Sequence, residues 1–429
     1  MKWVSTRGAS PPISFVDALF AGTAPDGGLY MPERLDPLPP GTSERLAVAA
    51  SAGDIVTIGT TIGSHLLKDE ITEPAMHALV KDALGFPVPL VQITDRAWVL
   101  ELFHGPTLAF KDVGARVQAR LLHHFTDGTP LTILVATSGD TGSAVAQAFH
   151  RVPDARVVVL YPEGKVSNVQ EAQMASLGDN ITALAVQGTF DDCQALVKHA
   201  FADDDLRRHV WLTPANSINL GRLLPQAFYY FTLAGSRACD VVSVPSGNFG
   251  NLTAGLIAKR IGLPIRHFVA ATNVNDSVPV YLKSGRYEPR PSIETVANAM
   301  DVGAPSNFER VQSLYNSDLA ALRKDVDGYA YGDARVVAEI GNVHRRHGYV
   351  LDPHSAIAWL ALQDALVQDS GARGVFLATA HPAKFREIVE PAIGQPVPLP
   401  PELADALCRP RQSISMPAEY SALERFLRS

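Results

Sequence analysis

The sequence predicts an α/β protein built from two open, mostly parallel twisted sheets, with a mainly helical N-terminal domain. Three observations carry this expectation. After the Pro87-Val-Pro89 stretch, short β-branched apolar runs alternate with longer helical stretches, the pattern of parallel strands covered on both faces. Two of these runs end in Gly/Ser-rich turns that open helices, Thr137-Ser-Gly-Asp-Thr-Gly142 and Pro245-Ser-Gly-Asn-Phe-Gly-Asn251. The length of 429 residues also exceeds what one core sustains, since single cores stop growing at about 250–300 residues.

Residues 1–85 read as an appended, mostly helical segment with a turn at Pro25-Asp-Gly-Gly28. Helices are expected from Ser43 to Ala52, with Ser43 as N-cap, and from Pro74 to Leu84. Pro87-Val-Pro89 marks the boundary. Strands follow at 131–135, 156–160, 182–186, 240–244, 266–270 and 374–378. Helices are expected from Ser143 to His150, from Val169 to Ser176 and from about Asp191. Two groups of such units make two α/β domains with a cleft between them. The proline-rich tail, 391–429, reads as a surface wrap with one closing helix.

Composition excludes several function classes. The net charge of −7 is mild and spread along the chain, with no Lys/Arg cluster, so nucleic acid is not an expected partner. No apolar run approaches the ~20 residues of a membrane helix, and the N-terminus lacks a signal-peptide core. Cys193, Cys239 and Cys408 are far apart, odd in number and without metal spacing. They read as reduced, buried thiols of a cytoplasmic protein. No metal site is expected: His344 and His347 sit on a basic helix with no third ligand, and His123-His124 reads the same way.

The chemistry centres on Glu101-Leu-Phe-His-Gly-Pro-Thr-Leu-Ala-Phe-Lys111-Asp112. This apolar, turn-punctuated segment places one lysine where an amine loses its hydration. Such an amine deprotonates easily and condenses with an aldehyde. Lys165, in Pro162-Glu-Gly-Lys165, is the competitor, but it lies on a polar loop suited to a solvated role. Strand–glycine turn–helix junctions hold anions on free N–H groups at the carboxyl ends of strands. Either turn alone is as easily a plain connection; the pair is the stronger signal. Neither turn has dinucleotide-fingerprint, P-loop or nucleophile-elbow spacing. A reactive lysine with two phosphate cradles points to pyridoxal phosphate. Asn216-Ser-Ile-Asn219 with Arg222 groups amide, hydroxyl and guanidinium donors that can take a phosphate, or simply cap a helix. Thr379 ends the last strand, where a hydroxyl could face a ring nitrogen.

Taken together, these motifs resemble the threonine synthase family, of the fold type II, tryptophan-synthase-β-like class of pyridoxal phosphate enzymes. The resemblance spans nearly the whole chain. It runs from Ser5-Thr-Arg-Gly8 and Ala24-Pro-Asp-Gly-Gly-Leu-Tyr-Met-Pro32 through the Lys111, Thr137, Asn216 and Gly247 motifs to Thr379-Ala-His-Pro-Ala-Lys-Phe385. It implies a large cofactor-binding domain of residues 86–130 and 217–390 and a small domain of 131–216. It also implies the bacterial and fungal kind, without activation by S-adenosylmethionine. By the same resemblance, Lys111 carries the cofactor covalently, and Gly247, Asn248, Phe249, Gly250 and Asn251 hold its phosphate. Thr379 meets the pyridine nitrogen. Thr137, Ser138, Asp140 and Thr141 grip the substrate carboxylate. Ser217, Asn219 and Arg222, with Thr107, receive the substrate phosphate. The implied substrate is O-phospho-L-homoserine and the implied state a monomer or homodimer. Two rivals are a phospho-lyase or serine/threonine dehydratase of the same fold that releases α-ketobutyrate, and a non-catalytic phosphate-binding α/β module.

Overall fold

The computed structural model describes residues 1–137, 139–236 and 240–429. Two parallel-rich sheets organise the chain, as the alternating pattern predicts. A six-stranded sheet runs in the order β11 (Val326–Ala330), β10 (His267–Thr272), β9 (Val241–Pro245), β12 (Gly374–Ala378), β4 (Ala97–Glu101), β3 (Leu90–Gln92). Only β3 pairs antiparallel, on β4. The second sheet has five parallel strands, β13 (Ser413–Pro417), β7 (Ile181–Gln187), β6 (Ala155–Pro162), β5 (Leu131–Ala136) and β8 (Leu212–Pro214). A small antiparallel pair, β1 (Trp3–Ser5) with β2 (Tyr30–Pro32), belongs to the N-terminal segment.

The strands are apolar because both faces are covered. Every residue of β9 and of β12 is buried, and the helix Pro353–Gln368 packs on β9, β10 and β12. Strand order places the chemistry. β4, β12 and β9 are neighbours and run parallel, so their carboxyl ends lie side by side. Ala378 pairs level with Glu101, and β12 runs level with β9 from Gly374 opposite Val241. The loops that leave these three ends carry Lys111, Thr379 and the Gly247 turn. β5 likewise delivers Thr137 to its own sheet's carboxyl edge.

One local expectation differs. Ser43 is not an N-cap: Gly41 holds that position and the helix is Thr42–Ser51. In keeping with the helical reading of residues 1–85, the β-branched run at Ile55 forms a helix, Ile55–Leu66, because the Asp54 carboxylate accepts from the Thr57 N–H and apolar residues recur on one face. The tail is more than a wrap. Ser413–Pro417 adds an edge strand to β7, and helices Pro401–Cys408 and Tyr420–Arg428 flank it. An edge strand needs only one inward side chain, here Met416, so its sequence looks polar. Leu423 and Leu427 are buried with Cys193, Leu196 and Leu206. Leu423→Ala should therefore cost about 2–4 kcal/mol in chemical denaturation; a cost below about 0.5 kcal/mol would mean that the tail is only draped on the surface.

Candidate active site

After β4 the chain makes a tight turn in which the Leu108 N–H donates to the Gly105 carbonyl at 2.9 Å. Leu108 sits at φ 56°, a left-handed conformation that a branched apolar residue adopts only when its surroundings enforce it. The enforcement comes from the loop after β12. The Phe110 N–H donates to the Thr379 carbonyl at 2.9 Å and the His381 N–H to the Leu108 carbonyl at 3.0 Å, forming a bridge between Ala109 and Ala380. Lys111 and Thr379 thus hang from two loops stitched together. Beneath them, the Asp112 carboxylate accepts from the Thr107 N–H at 2.8 Å and hydroxyl at 2.7 Å. Burial pushes the Asp112 carboxyl up to about 6, against those two hydrogen bonds. Thr107 therefore spends its hydroxyl inside the loop.

Lys111 is the first residue of the helix Lys111–Thr126. Its side chain is 15% exposed and its nearest counter-charge, Asp140 Oδ2, is 4.0 Å away, beyond hydrogen-bond reach. Burial lowers its ammonium from 10.5 to about 8; the Arg222 and Lys384 charges push the same way, while Asp140 opposes. The largely desolvated amine read from the sequence is present, and among the described residues none hydrogen-bonds its nitrogen. Lys165 lies exposed on the loop after β6.

At the end of β9, Phe249 at φ 61° is the N-cap of the helix Gly250–Ile261. The five N–H groups from Gly247 to Asn251 donate to no acceptor in the described protein. The side chains around them hold the turn's shape. Asn251 Nδ2 donates to the Pro245 carbonyl at 2.8 Å. Asn248 Nδ2 donates to the Ser217 hydroxyl at 2.6 Å, and Asn248 Oδ1 accepts from the Ser306 N–H at 2.6 Å. An array of free amides at the start of a twelve-residue helix fits an anion such as a phosphate. The Thr379 hydroxyl, in a residue 6% exposed, also has no partner among the described residues. A neutral-prone amine, a phosphate cradle and a free hydroxyl are the donor set that pyridoxal phosphate requires.

The remaining expected residues divide. Ser138 lies outside the described residues. Thr137 Oγ1 accepts from the Gly139 and Gly142 N–H groups, both at 2.9 Å, so it shapes its own turn. Asp140 binds Lys384 at 2.7 Å and Gln170 Nε2 at 3.2 Å. Burial would raise its carboxyl, but Lys384 and Lys111 outweigh burial and hold it well below the usual range. Thr141 is half-buried in the same turn. Asn219 is fully committed: Nδ2 donates to the Leu19 and Pro214 carbonyls and Oδ1 accepts from the Gly221 N–H. It is a structural tie to the N-terminal segment. Arg222 is buried and gives Nη1 to the Ala215 carbonyl at 2.9 Å; burial lowers it to about 10, with Asp112 opposing.

Sequence reasoning missed three residues around this site. Lys384 stood inside a quoted motif without a role. Arg310, fully buried, joins the Tyr30 and Ile218 carbonyls and the Asn307 side chain, and so ties the N-terminal segment to the Ser217 loop. His354 accepts from the Ala299 N–H, and the Ala299 carbonyl forms the wall behind Gly247. Neither Arg310 nor His354 carries a local sequence signal, because both act on segments far away in the chain.

Comparison with known proteins completes the assignment. Residues 2–84 match the family described as threonine synthase N terminus, 86–379 the pyridoxal-phosphate dependent enzymes, and 355–427 the threonine synthase C-terminal family. The chain is 43% identical over 432 residues to the threonine synthase of Escherichia coli (strain K12), covering 100% of this chain and 99% of that one. The chain belongs to the threonine synthase family. The Serratia marcescens threonine synthase is 44% identical over 438 residues, again covering 100% and 99%. A crystal structure of PLP-bound threonine synthase from Brucella melitensis superposes with a TM-score of 0.92 at 38% identity, covering 100% of this chain and 99% of that one. As a member of the threonine synthase family, the chain is a pyridoxal-phosphate-dependent enzyme of fold type II, acting on a small molecule. No helix among the described residues is long and apolar enough to cross a membrane.

Proposed function

We propose that this enzyme takes O-phospho-L-homoserine and water to L-threonine and phosphate, in the cytoplasm, with pyridoxal phosphate attached at Lys111. The observation that carries the residue assignment is the juxtaposition of a mostly buried amine and five backbone amides, all without a hydrogen-bond partner among the described residues, in the loops after β4 and β9, the two parallel strands that flank β12. Cys193 is buried as expected, Cys408 is exposed against the expectation of a buried thiol, and Cys239 lies outside the described residues; a free, exposed thiol suits a reducing compartment.

The cofactor supplies an electron sink for carbanions next to the substrate nitrogen. The protein's part follows from its own groups. The Gly247 to Asn251 amides anchor the cofactor phosphate, and the helix dipole favours its charge. Thr379 offers a hydroxyl to the ring nitrogen; being neutral, it does not force a proton onto that nitrogen as a carboxylate would. Lys111 Nζ, as a free amine, would be the base that takes the α-proton and returns protons to the carbon chain. An amine titrating at about 8 is matched to that work. Arg222, whose Nε and Nη2 have no partner among the described residues, and Ser217 are assigned to the substrate phosphate. Thr141 and the turn at 137–141 are assigned to the carboxylate. Asn219 and Thr107 act by holding the loops that carry these groups.

The deciding assay supplies O-phospho-L-homoserine to the purified holoenzyme. Threonine and phosphate in equal amounts are expected. Release of α-ketobutyrate as main product would replace this reading with the lyase. A second expectation concerns pH. Capture of pyridoxal phosphate by the cofactor-free protein needs the neutral amine. Its rate should climb about tenfold per pH unit at lower pH and level off above about 8. A midpoint near that of a solvated lysine, about 10.4, would show that the amine is not dry.

A further inference from the structure

Lys384 lies in the short 3-10 helix Pro382–Phe385 after β12, is 3% exposed, and has no part in the roles assigned above. Its ammonium reaches Asp140 Oδ1 at 2.7 Å and the Thr107 carbonyl at 3.0 Å. Asp140 opens the helix Asp140–Phe149 after β5, whereas Lys384 and Thr107 leave strands of the six-stranded sheet. One nitrogen therefore joins both halves of the enzyme and the loop that presents Lys111. Two amides of the helix Asn168–Ala175 complete the contact: Gln170 Nε2 on Asp140 Oδ1 at 3.2 Å and Gln173 Nε2 on the Thr107 carbonyl at 3.2 Å. The other carboxylate oxygen, Oδ2, faces Lys111 Nζ at 4.0 Å. The carboxylate is thus shared unequally between two ammoniums. A buried carboxylate left with one partner would close on it, because an unpaired charge is costly out of water.

We propose that Lys384 is a positioning residue for the reaction: it holds the Asp140 carboxylate across the cleft, so that one oxygen is bound and the other orients Lys111 without forming a full ion pair with it. Three charges face Lys111: Asp140 from its own helix, Arg222 from Leu220–Leu223 and Lys384 from the 3-10 helix. Lys384 and Arg222 favour the neutral amine and Asp140 favours the charged one. Removing Lys384 acts twice in the same direction, deleting a like charge and freeing Asp140 to pair with Lys111. The proposal rests on the assignment of Lys111 made above, but its test reads the titration of Lys111 itself in cofactor-free protein. It can therefore fail while Lys111 remains the attachment point.

The experiment is competitive acetylation of cofactor-free protein over a pH series, with the Lys111 peptide quantified by mass spectrometry. Lys384→Met should move the Lys111 midpoint upward by about one pH unit, and Lys384→Arg should keep it within a few tenths of the parent. Asp140→Asn, which keeps both lysines, should move it down. In the Asp140→Asn background, Lys384→Met should lose most of its effect. In the reconstituted enzyme the acid limb of kcat should follow the same order, with Lys384→Arg recovering most of the activity lost in Lys384→Met. An unchanged midpoint in Lys384→Met, or an equal shift with and without the Asp140 carboxylate, overturns the proposal. Should Lys384→Met fail to fold, the Asp140→Asn arm decides, and no downward shift there overturns it.

Discussion

Lys111→Ala should lower threonine formation by about 10⁴-fold while leaving a folded protein that still takes up pyridoxal phosphate on the Gly247 turn without a covalent bond. Borohydride should bleach the visible absorbance of the parent enzyme and leave a label on Lys111; in the variant no residue should be labelled. A label that moves to Lys165 or Lys384 with turnover intact would remove Lys111 from the mechanism. The same side chain should be a burden on stability in the cofactor-free protein. Its folded ammonium titrates at about 8, below the unfolded value of 10.5. The unfolded chain therefore holds its proton more tightly. The penalty is fully present below about pH 8 and disappears as pH rises through 10.5. Lys111→Met, which keeps the packing, should unfold about 1–3 kcal/mol less readily than the parent at pH 7, and the gain should vanish at strongly alkaline pH. A variant less stable than the parent at neutral pH would contradict the desolvated state from which the amine's reactivity is argued.

The features legible in the sequence were those carried by local chemistry. β-branched runs such as Leu131–Ala136 and Gly374–Ala378 became buried parallel strands, and the glycine turns after β5 and β9 fell at strand ends. Lys111 stood out because its neighbours are apolar over a whole turn. What stayed hidden is set by partners far along the chain. Thr137 and Asn219 look like ligand donors, yet their polar atoms satisfy nearby or distant backbone. Lys384 reads as one more lysine until the fold brings Asp140 from the other sheet to 2.7 Å. Phe249 occupies a left-handed conformation that usually calls for glycine; its ring, packed edge-on to Phe308 with centroids 6.0 Å apart, holds it there. The edge strand Ser413–Pro417 escaped notice because it buries only Met416.

Gly247→Ala should weaken pyridoxal phosphate binding by about 10²- to 10⁴-fold. A β-carbon at this position would lie 2.6 Å from the Ala299 carbonyl oxygen and 2.9 Å from Met300 Cα, both closer than real contacts allow. Both obstacles are backbone. Ala299 is moreover held from behind by His354, which accepts its N–H at 3.3 Å and is itself fixed by Asp352 at 2.6 Å. The wall therefore yields less readily than the glycine turn, and the turn must move. Displacing the amides of Gly247 and Asn248 spoils two charge-assisted hydrogen bonds, each worth about 1.5–3 kcal/mol, which gives the stated loss. Gly250→Ala is the matched comparison, since its β-carbon would meet Asn307 Nδ2 at 3.4 Å, an ordinary contact. Equilibrium titration of cofactor-free protein, followed by absorbance, separates the two. Weak binding in Gly247→Ala with near-parental binding in Gly250→Ala is the expected pair. Parental affinity in Gly247→Ala would show that the turn's amides are not what holds the phosphate.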